Sequence, residues 1–271
     1  MAIITISRQA GSLGDEIGRE TAQALSYDYI EKVQISESLS RLGFSLSDID
    51  KFDEKKPSVW QSLSIQKELF AHFIRAAIYE LAAKRNVVIV GRGGQAILRG
   101  IAGALHVRVI APHHTRVRRL MEQRSYKEND AQRIIRQRDR DSTGYLSTYF
   151  DADSDDSNLY DLVINTRALT LKKCVEIVAC AVQQDEIQMS SPPSTLLLDL
   201  ALKHKAQAAI LKVTGGGELV NLEMDEGVAS LSGLVESSAA KNDCGKALME
   251  IPGIKSVRNE LGVRSENGRI F

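Results

Sequence analysis

The chain has 271 residues, 43% hydrophobic and 26% charged, with 35 Lys+Arg set against 35 Asp+Glu. That length accommodates one large α/β domain or two unequal ones, with cores that need no disulfide or metal. A formal net charge of zero excludes a uniformly cationic nucleic-acid binder and a polybasic membrane anchor.

The first element is Ile3-Ile4-Thr5-Ile6, a β-branched run that reads as a core strand. It leaves no room for a cleavable leader, and no run of 18 apolar residues follows, so the expectation is a cytoplasmic protein without a transmembrane segment. A helix is predicted from about Ser58 to Lys84, with Phe70, Phe73, Ile74, Ala77 and Leu81 on one face. Val87–Val90, Leu105–Ile110 and Leu162–Ile164 are further buried strands. A helix from Thr170 to Gln184 carries Leu171, Val175, Val178 and Val182 on one side, with Thr170 as its N-cap. Strands alternating with helices in this way predict a doubly wound parallel sheet over residues 1–188.

Two prolines among serines, Pro192 and Pro193, mark a linker at residues 189–195. Residues 196–271 read as a separate unit of order α-β-β-α-β. Its helix at Leu196–Lys212 precedes two strands, Glu218–Met224 and Val228–Val235, joined through Asp225-Glu226-Gly227 as a hairpin. A helix at Ala239–Glu250 and a last strand through Ile254–Val263 complete it. Cys174, Cys180 and Cys244 form neither a CxxC pair nor a metal-ligand spacing, which suits small buried hydrophobes in a reducing compartment.

The loop after the first strand, Ser7 to Gly14, precedes a helix that begins Asp15-Glu16-Ile17-Gly18. Open α/β sheets bind phosphates at such a turn, on backbone N–H groups and a helix N-terminus. Against the G-x-x-x-x-G-K-[ST] pattern, Gln9 takes the first glycine's place, Gly14 the second's, Asp15 the lysine's and Glu16 the Ser/Thr's. A plain strand-to-helix turn also accounts for the segment, since Asp15 and Glu16 favour a helix start by roughly 0.3–1 kcal/mol each. A carboxylate about 4 Å from a phosphate is repelled by roughly 4 kcal/mol at an effective dielectric near 20. Asp15 therefore points away, meets a metal, or marks a site that no longer binds a triphosphate well.

Arg92 leaves the C-terminal end of the Val87–Val90 strand between Gly91 and Gly93, where a guanidinium suits bidentate contact with phosphate. Between Arg108 and Arg140 there are ten Lys/Arg against four acids. That segment reads as a solvated helix face or as a lid over transferring phosphates, and less well as a nucleic-acid stripe, since no aromatic interleaving accompanies it. His113-His114 has no third ligand at useful spacing, so no protein-held metal site is expected. The acidic run Asp153, Asp155 and Asp156 reads as a solvated loop, and Ser45–Lys56 as an acceptor flap or a surface loop.

Taken together, these segments resemble the cytidylate kinase-like branch of the nucleoside monophosphate kinases over residues 1–188. The resemblance rests on I-T-I-S-R-Q-A-G-S-L-G-D-E-I-G, V-I-V-G-R-G-G, A-P-H-H-T-R-V-R-R-L-M, Q-R-D-R-D-S-T-G-Y-L and Y-D-L-V-I-N-T in the family's order. It implies a P-loop kinase-like parallel sheet flanked by helices, ATP and Mg²⁺ as cofactors, and a nucleoside monophosphate as acceptor. Ser7, Arg8, Gly11, Ser12 and Gly14 correspond to the nucleotide phosphate loop. Arg116, Arg119 and Arg124 correspond to nucleotide-binding residues of the lid. Arg92, Arg138 and Asp139 correspond to the residues of the transfer site, with Arg92 on the acceptor monophosphate. Two positions depart from the pattern: Asp15 replaces a cation, and Ser142 stands where another lid arginine belongs.

The C-terminal unit resembles a BON domain through Gly227–Val235 and Ile251–Leu261, which implies a small α+β module with a protein or lipid partner and no chemistry of its own. Two functions follow from the whole. One is a kinase acting on CMP or a related monophosphate; the other is a catalytically degenerate nucleotide-sensing or scaffold protein whose second module binds a partner.

Overall fold

The computed structural model describes residues 2–44, 65–189, 194–216 and 219–264, so Ser45–Lys56 and most of the proline linker lie outside the described residues. The chain divides into two compact units, residues 1–62 with 84–192, and residues 63–83 with 193–271.

The first unit begins with β1 (Ile3–Arg8), α1 (Gly14–Leu25), β2 (Asp28–Ile30) and α2 (Lys32–Arg41). The next helix, α3 (Ile65–Ala83), belongs to the second unit. The first unit resumes with β3 (Val87–Val90), α4 (Gly94–Ile97), β4 (Ala104–Ile110), α5 (His113–Arg124), α6 (Glu128–Phe150), β5 (Leu162–Asn165), α7 (Leu171–Val182) and α8 (Asp185–Met189). The five strands form one sheet in the order β2-β3-β1-β4-β5, parallel throughout. From β1 the chain runs out to β2 on one side, while β4 lies on the other. The C-terminal ends of β1 and β4 therefore border the crevice in which such sheets take ligands.

Hydrophobic burial drives this arrangement. Ile4, Ile6, Val88, Val90, Val107 and Val109 from the central strands form one core with Ile17 of α1 and Cys174 and Val178 of α7. Thr170 caps α7, its hydroxyl accepting from the Lys173 N–H at 3.3 Å, as the sequence predicts. Glu31 caps α2 reciprocally with Gln34, a capping box that fixes where the helix starts.

The second unit contains α9 (Ser194–Thr214), β6 (Leu219–Asp225), β7 (Val228–Val235), α10 (Ser238–Met249), β8 (Ser256–Asn259) and β9 (Gly262–Val263). The predicted α-β-β-α-β order is observed. β6 and β7 form an antiparallel hairpin, and β8 and β9 both pair parallel to β7. The single strand predicted at Ile254–Val263 is broken at Glu260-Leu261, although both pieces keep one register on β7. The gap faces Gly233, which has a φ of +114° and no room for a Cβ. Leu222, Leu231, Val235, Cys244, Leu248 and Leu261 make the core of this unit. Cys180, in contrast, is exposed.

Helix α3 packs along α9 within this unit. Lys205 pairs with Glu80, Tyr79 stacks on His204 with ring centroids 5.8 Å apart, and the His72 and His204 Nδ1 atoms lie 3.1 Å apart. Periodicity identifies the apolar face of α3 correctly but carries no information about which core receives it. Among the described residues, no helix is long and apolar enough to cross a membrane.

Candidate functional site

The loop between β1 and α1 is held from behind by three side chains. The carbonyl of Ala10 accepts from Arg116 Nη1 at 3.3 Å, that of Gly11 from Arg119 Nη1 at 3.3 Å, and that of Ser12 from the Thr166 hydroxyl at 2.9 Å. Arg119 is in turn fixed by Thr166, whose Oγ1 accepts at 2.8 Å and whose carbonyl accepts at 2.7 Å. In a trans peptide the N–H points away from its carbonyl, so this grip turns the following N–H groups to the opposite side. The Ser12 N–H is spent on the Gln9 carbonyl at 3.1 Å. Those of Gly11 and Leu13, and the first-turn N–H groups of α1, have no backbone acceptor among the described residues.

Backbone geometry explains the small residues. Gly11 has a φ of +77°, and a Cβ there would stand 3.0 Å from the Arg116 carbonyl oxygen. A Cβ on Gly14 would stand 2.3 Å from the Arg8 Cβ, so only glycine lets Arg8 lie across the start of α1. Leu13 is left-handed without that excuse, at φ 68°, a strained conformation of the kind found at ligand sites. The Ser12 hydroxyl is buried and has no hydrogen-bond partner among the described residues.

A cavity of about 550 Å³ opens beside this loop at the ends of β1 and β4. Its charged lining is balanced, with Arg8, Lys32, Arg108 and Arg138 against Asp15, Asp139, Asp141 and Asp155. Several of these charges are paired. Arg8 donates to Asp15 through Nε at 2.8 Å, so the carboxylate at the lysine position points at an arginine. Arg116 is 95% buried and gives Nη1 to both oxygens of Asp139, at 3.0 and 2.9 Å. Arg138, in contrast, makes no hydrogen bond or ion pair among the described residues. A second cavity of about 270 Å³ shares Gln9, Gly11, Asp15 and Arg138 and adds Glu16, Arg124 and Tyr126.

The positions singled out in the sequence thus separate into groups. Arg8, Gly11, Arg138 and Asp139 line the larger cavity, and Gly14 and Arg124 line the smaller one. Ser7 is buried at the end of β1, where its Oγ accepts from Arg108 at 2.7 Å. Arg116 and Arg119 sit behind the loop and line neither cavity. Burial, and then Arg118 beside it, push the Arg119 guanidinium below its ordinary value, yet an arginine stays protonated in a protein. Arg92 is 2% exposed, left-handed at φ 56°, and also lines neither cavity. Ser142 lines the larger cavity without a charge to offer.

Three contributors receive no role from the motif reading, although Thr166 closes one of the motifs. Arg108 is a charged residue inside an apolar strand, flanked by Val107 and Val109, and that placement was its signal. Thr166 is fully buried behind the loop. The acidic loop read as solvated supplies Ser154 and Asp155 to the cavity wall, with Asp155 3.7 Å from Arg108. Tyr29, next to α1, is pushed up to about 12 by burial, with Glu31 and Asp15 adding to the effect, so it remains a neutral hydroxyl.

The donor set suits a phosphate-bearing ligand: Arg138, unpaired among the described residues, and the N–H groups of the loop; Ser12, fully buried, lines neither cavity. Among the described residues no three His, Cys, Asp or Glu converge as a metal site. Mg²⁺ asks for only one or two carboxylates plus phosphate oxygens, and the cavity carboxylates meet that requirement for an ion that arrives with a nucleotide.

The sequence profile of the cytidylate kinase-like family matches residues 3–168. The cytidylate kinase of Staphylothermus marinus is 29% identical over 179 residues, covering 66% of this chain and 94% of that one. The cytidylate kinase of Pyrobaculum islandicum is 26% identical over 179 residues, covering 65% and 90%. Among solved structures, an uncharacterized protein from Eubacterium ventriosum superposes with a TM-score of 0.54 at 20% identity, covering 67% of this chain and 97% of that one. That is a likeness of fold.

Proposed function

Because the chain belongs to the cytidylate kinase-like family, we propose that it transfers the γ-phosphoryl group of ATP to CMP or a related nucleoside monophosphate. The observation that carries this reading is the convergence of the β1–α1 loop, Arg8, Arg108 and Arg138 on one cavity at the ligand-binding edge of the sheet.

An oxygen of the acceptor phosphate attacks the γ-phosphorus, the bond to the β–γ bridging oxygen breaks, and ADP leaves with that electron pair. Little covalent chemistry falls to the protein, whose contribution is alignment and positive charge on the equatorial oxygens. Arg138, on α6 and unpaired, is the side chain best placed to cover the transferring group. Arg116 and Arg119 hold the loop so that its N–H groups are available, and Arg116 also steadies Asp139 at the cavity wall. Lys32, at the start of α2, adds a cation to the same wall. Asp139 at the cavity wall would hold a Mg²⁺ ion that arrives with the nucleotide, and the ion would supply charge neutralisation on the phosphates.

The Arg8–Asp15 pair favours a second reading. A carboxylate in the lysine's place occupies an arginine that would otherwise meet phosphate, which suits a catalytically degenerate nucleotide sensor or scaffold. In that reading the C-terminal unit is a BON-like module that engages a protein or lipid partner. A coupled assay with ATP, Mg²⁺ and CMP, dCMP, UMP, AMP or GMP separates the two. Turnover with any acceptor supports the kinase. An ATP-induced rise in melting temperature without turnover supports the sensor, and neither turnover nor a shift overturns nucleotide binding altogether.

A further inference from the structure

Arg108 stands in β4 with 8% of its side chain exposed, facing the larger cavity. A guanidinium has five N–H donors, and among the described residues this one makes a single hydrogen bond, from Nη1 to the Ser7 hydroxyl at 2.7 Å. Its Cζ lies 5.7 Å from the centre of the Tyr160 ring. Its only carboxylate neighbour among the described residues is Asp155, which approaches Nη2 to 3.7 Å. That distance is within ion-pair range but beyond a hydrogen bond. Asp155 itself is 81% exposed and belongs to the loop between α6 and β5.

A charge buried this deeply carries a large desolvation cost and is normally met by a full set of partners. Arg108 lacks them, while its donors border a cavity. The other arginines near the loop are differently placed: Arg8 would have to release Asp15, and Arg116 would have to release both oxygens of Asp139. Arg108 need break no carboxylate hydrogen bond to receive a ligand.

We propose that Arg108 anchors a phosphate of the bound nucleotide and that Asp155 is an internal counter-ion, which that phosphate displaces. Ser7 and Tyr160 fix the plane of the guanidinium, and Asp155 keeps its charge compensated in the empty cavity. The inference rests on the phosphate-binding reading of the cavity, not on turnover.

Calorimetric titration of the full chain tests it. The probes are CMP, UMP, AMP and GMP, the nucleoside matching the tightest binder, and inorganic phosphate. Arg108→Gln should weaken the monophosphate about 10- to 100-fold, the loss of hydrogen bonds to a charged group, and leave the nucleoside unchanged. Asp155→Asn should tighten the monophosphate about 2- to 5-fold, as expected for removing an exposed competing charge. Because Asp155 is exposed, this second arm holds even if Arg108→Gln folds poorly.

Equal monophosphate affinity in wild type and Arg108→Gln, or weaker binding in Asp155→Asn, overturns the proposal while leaving the kinase reading in place. Arg108-dependent binding without turnover supports the anchor and counts against the kinase. If inorganic phosphate binds as tightly as the monophosphate, the nucleotide form of the proposal falls. If wild type binds no monophosphate, both readings fall.

Discussion

Thr166→Val removes one hydroxyl from a fully buried position and keeps the shape of the side chain. The Ser12 carbonyl then loses its 2.9 Å donor, and Arg119 Nη1 loses its 2.8 Å acceptor. Arg119 keeps its 2.7 Å bond to the Thr166 carbonyl, so no charge is stranded. One neutral and one charge-assisted hydrogen bond in a buried setting amount to about 2–3 kcal/mol. At about 2–4 °C per kcal/mol for a unit of this size, the melting temperature of the first unit should fall by about 4–12 °C. Binding should suffer as well, because a released Ser12 carbonyl no longer fixes the loop. Thr166→Ser, which restores the hydroxyl and loses only a methyl group, should recover most of both effects. Thermal denaturation with and without ATP, run on the three proteins side by side, reads both quantities. A Thr166→Val protein with wild-type melting and a wild-type ATP shift would refute the clamp.

Other perturbations probe different parts of the molecule. Asp15→Asn releases Arg8 and removes a negative charge beside the loop. ATP should bind about 3- to 10-fold tighter, an amount tempered by the exposure of Asp15, and unchanged affinity in a titration would show that the pair is irrelevant to the ligand. In the second unit, burial and then Arg75 push His72 down to about 4, and burial followed by His72 and Arg75 pushes His204 down to about 3. Unfolded histidines titrate near 6.5, so on acidification the unfolded chain takes up these protons first. The stability of this unit should hold above pH 6.5 and fall progressively toward pH 4. Denaturation midpoints of wild type and His72→Gln between pH 8 and 4 should show a shallower slope in the variant; parallel slopes would contradict the assignment. Gly233→Ala adds a Cβ that would stand 2.0 Å from the Leu219 carbonyl oxygen at a φ of +114°. It should cost at least about 2 kcal/mol, seen as a lower melting temperature, and a neutral result would mean the hairpin shifts freely.

Much of the fold is legible in the sequence because buried parallel strands leave uninterrupted β-branched runs, as at Val87–Val90. β2 is not, since three residues, Asp28–Ile30, are too few to show a period. The break between β8 and β9 escapes as well: it stands opposite Gly233 of β7, at φ +114°, and the Leu261 N–H beside it donates to the Asn259 Oδ1 at 3.3 Å, neither of which shows in the apolar pattern of Ile254–Val263. At the site, motif reading locates the loop and the arginine-rich helices but does not separate the roles of the arginines. Arg116 and Arg119 lie three residues apart, on one face of α5, and that face meets the back of the loop. Of the two arginines that the sequence resemblance assigns to the transfer site, Arg138 alone lines the cavity, and it is unpaired among the described residues. Arg108 and Asp155 are 47 positions apart in sequence, and only the pairing of β4 with β5 brings that wall together.

In the proposed function, nucleotide phosphates bind where the β1–α1 loop meets the ends of β1 and β4. Hydrogen–deuterium exchange on the full chain, with and without saturating ATP, Mg²⁺ and CMP, tests it most directly. Exchange should slow across residues 9–16, 138–143 and 153–156 and stay unchanged in the hairpin of residues 219–235. Protection confined to other segments, or none at all at ligand concentrations that saturate a calorimetric titration, would contradict it.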